Sequence, residues 1–362
     1  MQFNKIKLKD IADINMGQSP SGSSYNNNGR GIPFLQGNKT FGFLYPTIDT
    51  WTTEPKKIGK KNSVLMSVRA PVGDLNIANK DICIGRGLCS IEMKNGNNQY
   101  LYYLLKNSIK KIKMKSTGTV FDSINRKELE NIEILDFNKS QQKKISKVLF
   151  DIDKKIELNI QTNDNLLNIG MELLKEDFNK TSELEILSNV IKFVKGKKPL
   201  DITTDEKDGY DKYLTIACLN GQELNYADTT KMVLSNNDLL MVMDGASSGD
   251  VYFGGQGIVG STLSRVDCMD SNYIPEFIYF VMKYYKDLIQ SKNTGSAIPH
   301  TDKVFVGTLE IPKLLKEHQE KYKILLEKIQ SNIYQNETLT HLRDTLLPKL
   351  MNGEIDLDKI EI

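Results

Sequence analysis

The chain has 362 residues, of which 39% are hydrophobic and 26% charged, with a formal net charge of +2. That length gives room for two domains of ordinary size, each with its own core. The longest apolar runs fall short of the roughly 18 residues of a helical membrane span, and near-neutral charge excludes nucleic-acid affinity by global charge alone, leaving only local patches.

The chain starts MQFNKIKLKDIADI, without the apolar core and small-residue cleavage site of an export signal. The next stretch, LKDIADINMGQSP (8–20), alternates apolar and polar residues and then carries a G-x-x-P turn. Clusters such as GQSPSGSSYNNNGRG predict a long polar loop. NSVLMSVRAPVGDL (62–75) predicts a strand and its turn. A 3.6-residue apolar period over Tyr100 to about Lys115 predicts a helix that runs into the Thr117-Gly118 turn, followed by the short strand NIEIL (131–135).

From residue 139 the spacing changes to alternating threes and fours, with Ile145, Leu149, Ile152, Ile156, Asn159, Leu166, Ile169 and Leu173 on one stripe. That is a coiled-coil seam. The whole series then recurs. LSNVIKFVKGKKP (187–199), NDLLMVMDGASSGDV (237–251), FIYFVMKYYKDLIQSKNTGS (277–296) and TLEIP (308–312) follow in the same order, 175 to 179 positions later. The second seam, Tyr322, Leu326, Ile329, Ile333, Asn336, Leu346 and Leu350, falls 177 positions after the first without drift. Loops tolerate insertions, whereas one inserted residue would rotate an apolar helical stripe by about 100°. The chain therefore reads as a tandem repeat.

These patterns predict an α+β fold of two similar domains, each followed by a long helix. The expected boundaries are 1–138 for the first domain, 139–181 for its helix, 182–314 for the second domain and 315–362 for the distal helix and tail. One Asn sits in each seam, and a buried Asn can fix register. An antiparallel pair pivoting on Asn159 and Asn336 sets Ile145 opposite Leu350 and Leu149 opposite Leu346, with pseudo-two-fold symmetry. Each helix of 35 to 40 residues would span about 50 to 60 Å.

Catalytic signatures are missing. GQGIVG (255–260), with its leading Gly, matches G-x-G-x-x-G, but strand patterns flank it where a dinucleotide site needs a helix N-terminus. A phosphate loop, an H-E-x-x-H pair and the Asn-Pro-Pro-aromatic run of an adenine methyltransferase are all absent. Cys83, Cys89, Cys218 and Cys268 form no C-x-x-C pair, so no metal site and reduced, cytoplasmic thiols are expected. Asp151 and Asp153 read as helix-surface or capping residues.

Polar loops and a basic helix end point to DNA. Lys106, Lys110 and Lys113 share one helical face, and Lys115 leads to Thr117. The first copy adds Gln18, Ser19, Asn38, Lys39, Thr40, Arg69 and Arg86, and the second Lys197, Lys198, Asn220, Arg265, Thr294 and His300. Arg, Lys, Asn and Gln read base edges, and Lys, Ser and backbone amides hold phosphate. The twin loops carry different polar residues, as two readers of different sequences would. A basic run alone is more often a solvated face.

The paired G-x-x-P loops (Gly17 to Pro20, Gly196 to Pro199), the paired Thr-Gly turns and the terminal LRDTLLPKLMNGEI (342–355) resemble the specificity subunit of type I restriction–modification systems. The resemblance covers essentially the whole chain. It implies two target recognition domains spaced by coiled-coil helices and reading a bipartite, asymmetric site in double-stranded DNA. It implies no catalysis in this chain. Two adenine-methyltransferase subunits would dock along the helices, bring S-adenosylmethionine and flip the target base, and motor-nuclease subunits would join them. The second copy has Met243-Asp244 where the first has Val68-Arg69, so residue roles do not transfer one for one. A self-contained, diverged DNA-modifying enzyme and a decoy that captures methyltransferase subunits stay open at this point.

Overall fold

The structure is a computed structural model describing residues 4–116, 123–295 and 297–357. Five helices of six residues or more occur among them: α1 (Asn98–Ser116), α2 (Lys139–Lys180), α3 (Pro275–Tyr284), α4 (Lys286–Ser291) and α5 (Lys316–Met351). None is both long and apolar enough to cross a membrane. The chain forms two compact units, one of Met1–Asn159 with Tyr334–Ile362 and the other of Ile160–Ile333. Each unit thus takes one recognition region and one part of each long helix.

In the first unit a four-stranded antiparallel sheet runs Ala12–Met16, Leu88–Met93, Val64–Ser67, Leu75–Ile77. Its register sets Ile91 opposite both Ile14 and Val64. A five-stranded sheet, in the order Tyr25–Asn26, Trp51–Thr52, Ile32–Leu35, Ile82–Ile84, Ile58–Gly59, contains one parallel pair, Phe34 opposite Cys83. The alternating apolar residues of the first sheet pack on α1: Val64, Met66 and Ile91 join Tyr100, Leu101, Leu104 and Leu105 in a single core. Ile145, Leu149, Leu347 and Leu350 of the long helices belong to the same core. Each such side chain contributes about 1.5–3 kcal/mol by leaving water.

The second unit repeats this topology strand for strand. Its four-stranded sheet is Ile191–Lys195, Leu263–Cys268, Leu239–Val242, Val251–Phe253. The five-stranded sheet again has one parallel pair, Tyr213 opposite Ile258. GQGIVG proves to be strand: Gln256–Val259 pairs on both edges, and a Cβ on Gly257 would lie 2.2 Å from the Lys212 carbonyl oxygen. The single helix of the first copy is here two, with Tyr285 lying between the end of α3 and the start of α4.

Within each unit the long helices pair antiparallel. In the first, Asn159 is buried and its amide donates to Gln335 Oε1 and Asn336 Oδ1, each at 2.8 Å. In the second, Asn332 donates to Asn163 Oδ1 at 2.8 Å, and Asn163 donates to the Ile329 carbonyl at 3.3 Å. Ile145, Leu149, Ile156, Leu326, Ile329 and Leu350 are buried, and Ile152 is half-buried. Elsewhere the expected stripe is corrected by one residue. Ile333 is 41% and Ile169 49% exposed, while Asn332, Gly170 and Leu174 lie inside; Leu347 is buried beside a half-buried Leu346. The reason is that each long helix faces two neighbours, its helical partner and a recognition domain, so its apolar arc is wider than a two-helix seam.

Asp153 is a second correction. It lies on no surface but is fully buried, accepting from Tyr103 Oη and from Arg343 Nη1, both at 2.7 Å. Burial, then the Asp153 carboxylate, pushes the Tyr103 phenol far up, so it stays protonated and donates.

Candidate nucleic-acid interface

Both G-x-x-P turns are fixed by the same close approach. Gly17 donates to the Leu88 carbonyl at 2.9 Å and Gln18 to that of Ile84 at 2.9 Å; Gly196 donates to Leu263 at 3.0 Å and Lys197 to Val259 at 3.2 Å. A Cβ on Gly17 would lie 2.1 Å from the Gly85 oxygen, and one on Gly196 2.1 Å from that of Gly260. Only glycine fits either crossing. Pro20 and Pro199 are buried, which leaves the two residues between Gly and Pro facing outward: Gln18 exposed and Ser19 half-buried, Lys197 and Lys198 both exposed.

A third loop end meets each crossing. Gly85 donates to the Leu35 carbonyl at 2.8 Å, and Gly260 to that of Leu214 at 3.0 Å. The residue after Leu35 is Gln36. The residue after Leu214 is Thr215, whose hydroxyl caps the short helix Ile216–Leu219 by accepting from Cys218 N at 3.1 Å. Arg86, exposed, stands where the second copy has Ser261. The frames coincide and the side chains on them do not.

The Thr-Gly turns are framed alike. Backbone bridges join Arg69 with Ser123 and Asp244 with His300. Ile124 then donates to Val68 at 3.0 Å and Thr301 to Met243 at 2.8 Å. In the second copy Thr294 and His300 exchange backbone hydrogen bonds at 2.9 and 2.7 Å, and Gly295 has φ 89°, a left-handed turn. His300 Nδ1 lies 2.7 Å from Asp244 Oδ1, with Lys195 3.7 Å from the other carboxylate oxygen. Lys303 is held below its ordinary pKa by burial and then by Lys195, with Asp244 opposing. The turn at Thr117 lies outside the described residues, as does the side chain of Lys115.

On α1, Lys110 and Lys113 are exposed near the helix end. Lys106 turns inward instead, 3.9 Å from Asp153 and over the Tyr102 ring. Burial lowers its pKa, partly offset by Asp153. Arg69 and Lys39 are exposed. Other expected contacts are engaged within the fold. Arg265 donates to both carboxylate oxygens of Asp267, at 2.6 and 3.1 Å, and to the Leu234 carbonyl at 2.6 Å, so its fork is spent inside the domain. Asn38 donates to Asp74 at 2.6 Å, and Asn220, though exposed, accepts from Tyr252 at 3.3 Å. Among the described residues no three His, Cys, Asp or Glu side chains gather as a metal site.

A family model for the type I restriction modification DNA specificity domain matches residues 2–168. The MjaX specificity subunit of Methanocaldococcus jannaschii is 45% identical over 147 residues, spanning 40% of this chain and 35% of that one. The MjaIX specificity subunit of the same organism is 24% identical, but the alignment spans 98% of this chain and 94% of the relative. This chain is therefore similar to type I specificity subunits along its length, and its first half matches their DNA specificity domain. A crystal structure of the S subunit from M. genitalium, 19% identical, superposes with a TM-score of 0.61 over 97% of this chain and 96% of that one, so the fold is shared end to end. The stretch matched to MjaX is about a third of that relative, and the alignment with the MjaVIII specificity subunit spans 41% of it. In this chain the glycine crossings are the repeated frame and the loop ends beside them are the variable part.

Proposed function

We propose that this chain selects the DNA target of a type I restriction–modification complex and performs no chemistry itself. Each recognition domain reads one half of a bipartite, asymmetric site. The long helices carry two adenine-methyltransferase subunits, which bind S-adenosylmethionine, and a motor-nuclease subunit joins that assembly. One observation carries this reading: two domains of identical topology present loop ends at matched positions with unlike polar side chains, Gln18 and Ser19 against Lys197 and Lys198, Arg86 against Ser261, Arg69 against Asp244. A platform built twice and dressed differently suits two unlike half-sites of one target.

The test is footprinting of the chain, co-purified with its methyltransferase subunit, on genomic duplex fragments. Two protected blocks of unlike sequence, with affinity falling steeply as salt rises, are expected. Protection of one uninterrupted block, or none at any salt concentration, contradicts the reading. A complex that forms but protects nothing would mark a decoy.

A further inference from the structure

Gln36 was not among the residues that the sequence pattern singled out, because the repeat places Thr215 opposite it and the copies differ there. The geometry gives it a prepared orientation. Arg86 N–H donates to Ser19 Oγ at 3.2 Å, and Ser19 Oγ donates to Gln36 Oε1 at 3.0 Å. The serine hydroxyl has one hydrogen to give, and the amide carbonyl receives it. The Gln36 amide is thereby held with its oxygen inward, and Nε2 has no hydrogen-bond partner among the described residues. The side chain is exposed. A Cβ on Gly85 would lie 2.9 Å from both Gln36 Cα and Oε1, so the glycine that closes the crossing also makes room for this amide. Gln36 further lines a cleft of about 230 Å³ with Tyr25, Lys39 and Thr40, and the buried Thr40 Oγ1 in its wall has no partner among the described residues.

We propose that Gln36 is a specificity-determining residue of the first recognition domain, presenting its amide as a fixed hydrogen-bond donor to one base edge, with Ser19 as its positioning residue. This inference rests on the DNA-reading function above. A free glutamine amide reads adenine by donating to N7 and accepting from N6. With its oxygen turned to Ser19, the amide meets the base edge as a donor, which suits the major-groove acceptors N7 and O6 of guanine, N7 of adenine and O4 of thymine and disfavours cytosine, whose edge offers only the N4 donor. Thr215, whose hydroxyl oxygen accepts in a helix cap, carries no amide to present, so the effect is confined to one half-site.

The experiment is selection of randomised duplex DNA by the full chain in complex with its methyltransferase subunit, followed by sequencing. The wild type prefers an acceptor-bearing base, guanine, adenine or thymine, to cytosine at one position of one half-site. Gln36→Met, which keeps the length and removes the donor, lowers that preference roughly tenfold. Gln36→Glu, which retains an oxygen for Ser19 and replaces the donor with an acceptor, shifts the preference to cytosine. Ser19→Ala frees the amide to turn over and relaxes the discrimination against cytosine at that same position. The second half-site is unchanged in all three. A motif unaltered in Gln36→Met and Gln36→Glu, or altered equally in both half-sites, overturns the proposal while leaving the DNA-reading function intact. A wild type that enriches no split motif overturns that function, and this inference with it.

Discussion

The two recognition domains meet the long helices by different physics. In the first unit, Tyr103 of α1 reaches a buried carboxylate: Asp153 takes the phenol and the Arg343 guanidinium, each at 2.7 Å, with Lys106 at 3.9 Å. In the second, the position matching Tyr103 is Phe280, and its ring lies on Gly170, where a Cβ would come within 2.1 Å of the ring edge. Phe280 also meets Tyr322 at 5.4 Å between centroids, and the Tyr322 hydroxyl donates to Asp177 at 2.6 Å. One junction is a polar network that is complete or costly. The other is a close-packed contact whose tolerance is set by a missing methyl group. A tandem repeat can thus keep its backbone topology while each copy finds its own way of fastening it.

The largest expected effect comes from breaking the polar junction. Arg343→Met leaves Asp153 charged and buried, and should lower stability by about 3–5 kcal/mol in urea denaturation. Adding Asp153→Asn should recover much of that loss. A cost below about 1 kcal/mol for the single change would mean that water reaches the carboxylate. The apolar junction gives the next effect. Gly170→Ala should cost about 1–3 kcal/mol by overpacking, and Phe280→Leu on that background should restore part of it by withdrawing the ring edge. If Gly170→Ala is neutral, α2 does not hold the ring so closely. Smallest in stability is Lys110→Ala with Lys113→Ala, within about 0.5 kcal/mol of wild type. The same pair should weaken DNA binding across all sequences and reduce the salt slope by about 2. Unchanged affinity at every salt concentration would mean that this end of α1 faces solvent in the complex.

The repeat, the long helices and the paired glycine turns were legible because glycine at a backbone crossing and an uninterrupted apolar stripe leave strong local marks. The G-x-x-P spacing marks Gly17 and Gly196 as turns, and the close approach of Gly85 and Gly260 makes them crossings. Asp153 was not legible: an aspartate in a helix among lysines looks solvated, and only the antiparallel approach of Arg343 and the arrival of Tyr103 put it inside. The one-residue shift at Ile333 and Asn332 was hidden for a related reason, since periodicity cannot show that a helix is packed on two sides. Arg265 looked like a base reader until its strand neighbour Asp267 and the Leu234 carbonyl took its donors. Gln36 gave no signal, because a reader of one half-site has no reason to recur in the copy that reads the other.

In the proposed function one frame, built twice and furnished differently, reads two unlike half-sites. Mapping N6-methyladenine in DNA modified by this chain with a type I methyltransferase subunit tests that reading most directly. The expected result is a split motif of two different specified blocks around an unspecified spacer. Methylation at a single uninterrupted motif, or at two identical half-sites, would contradict it.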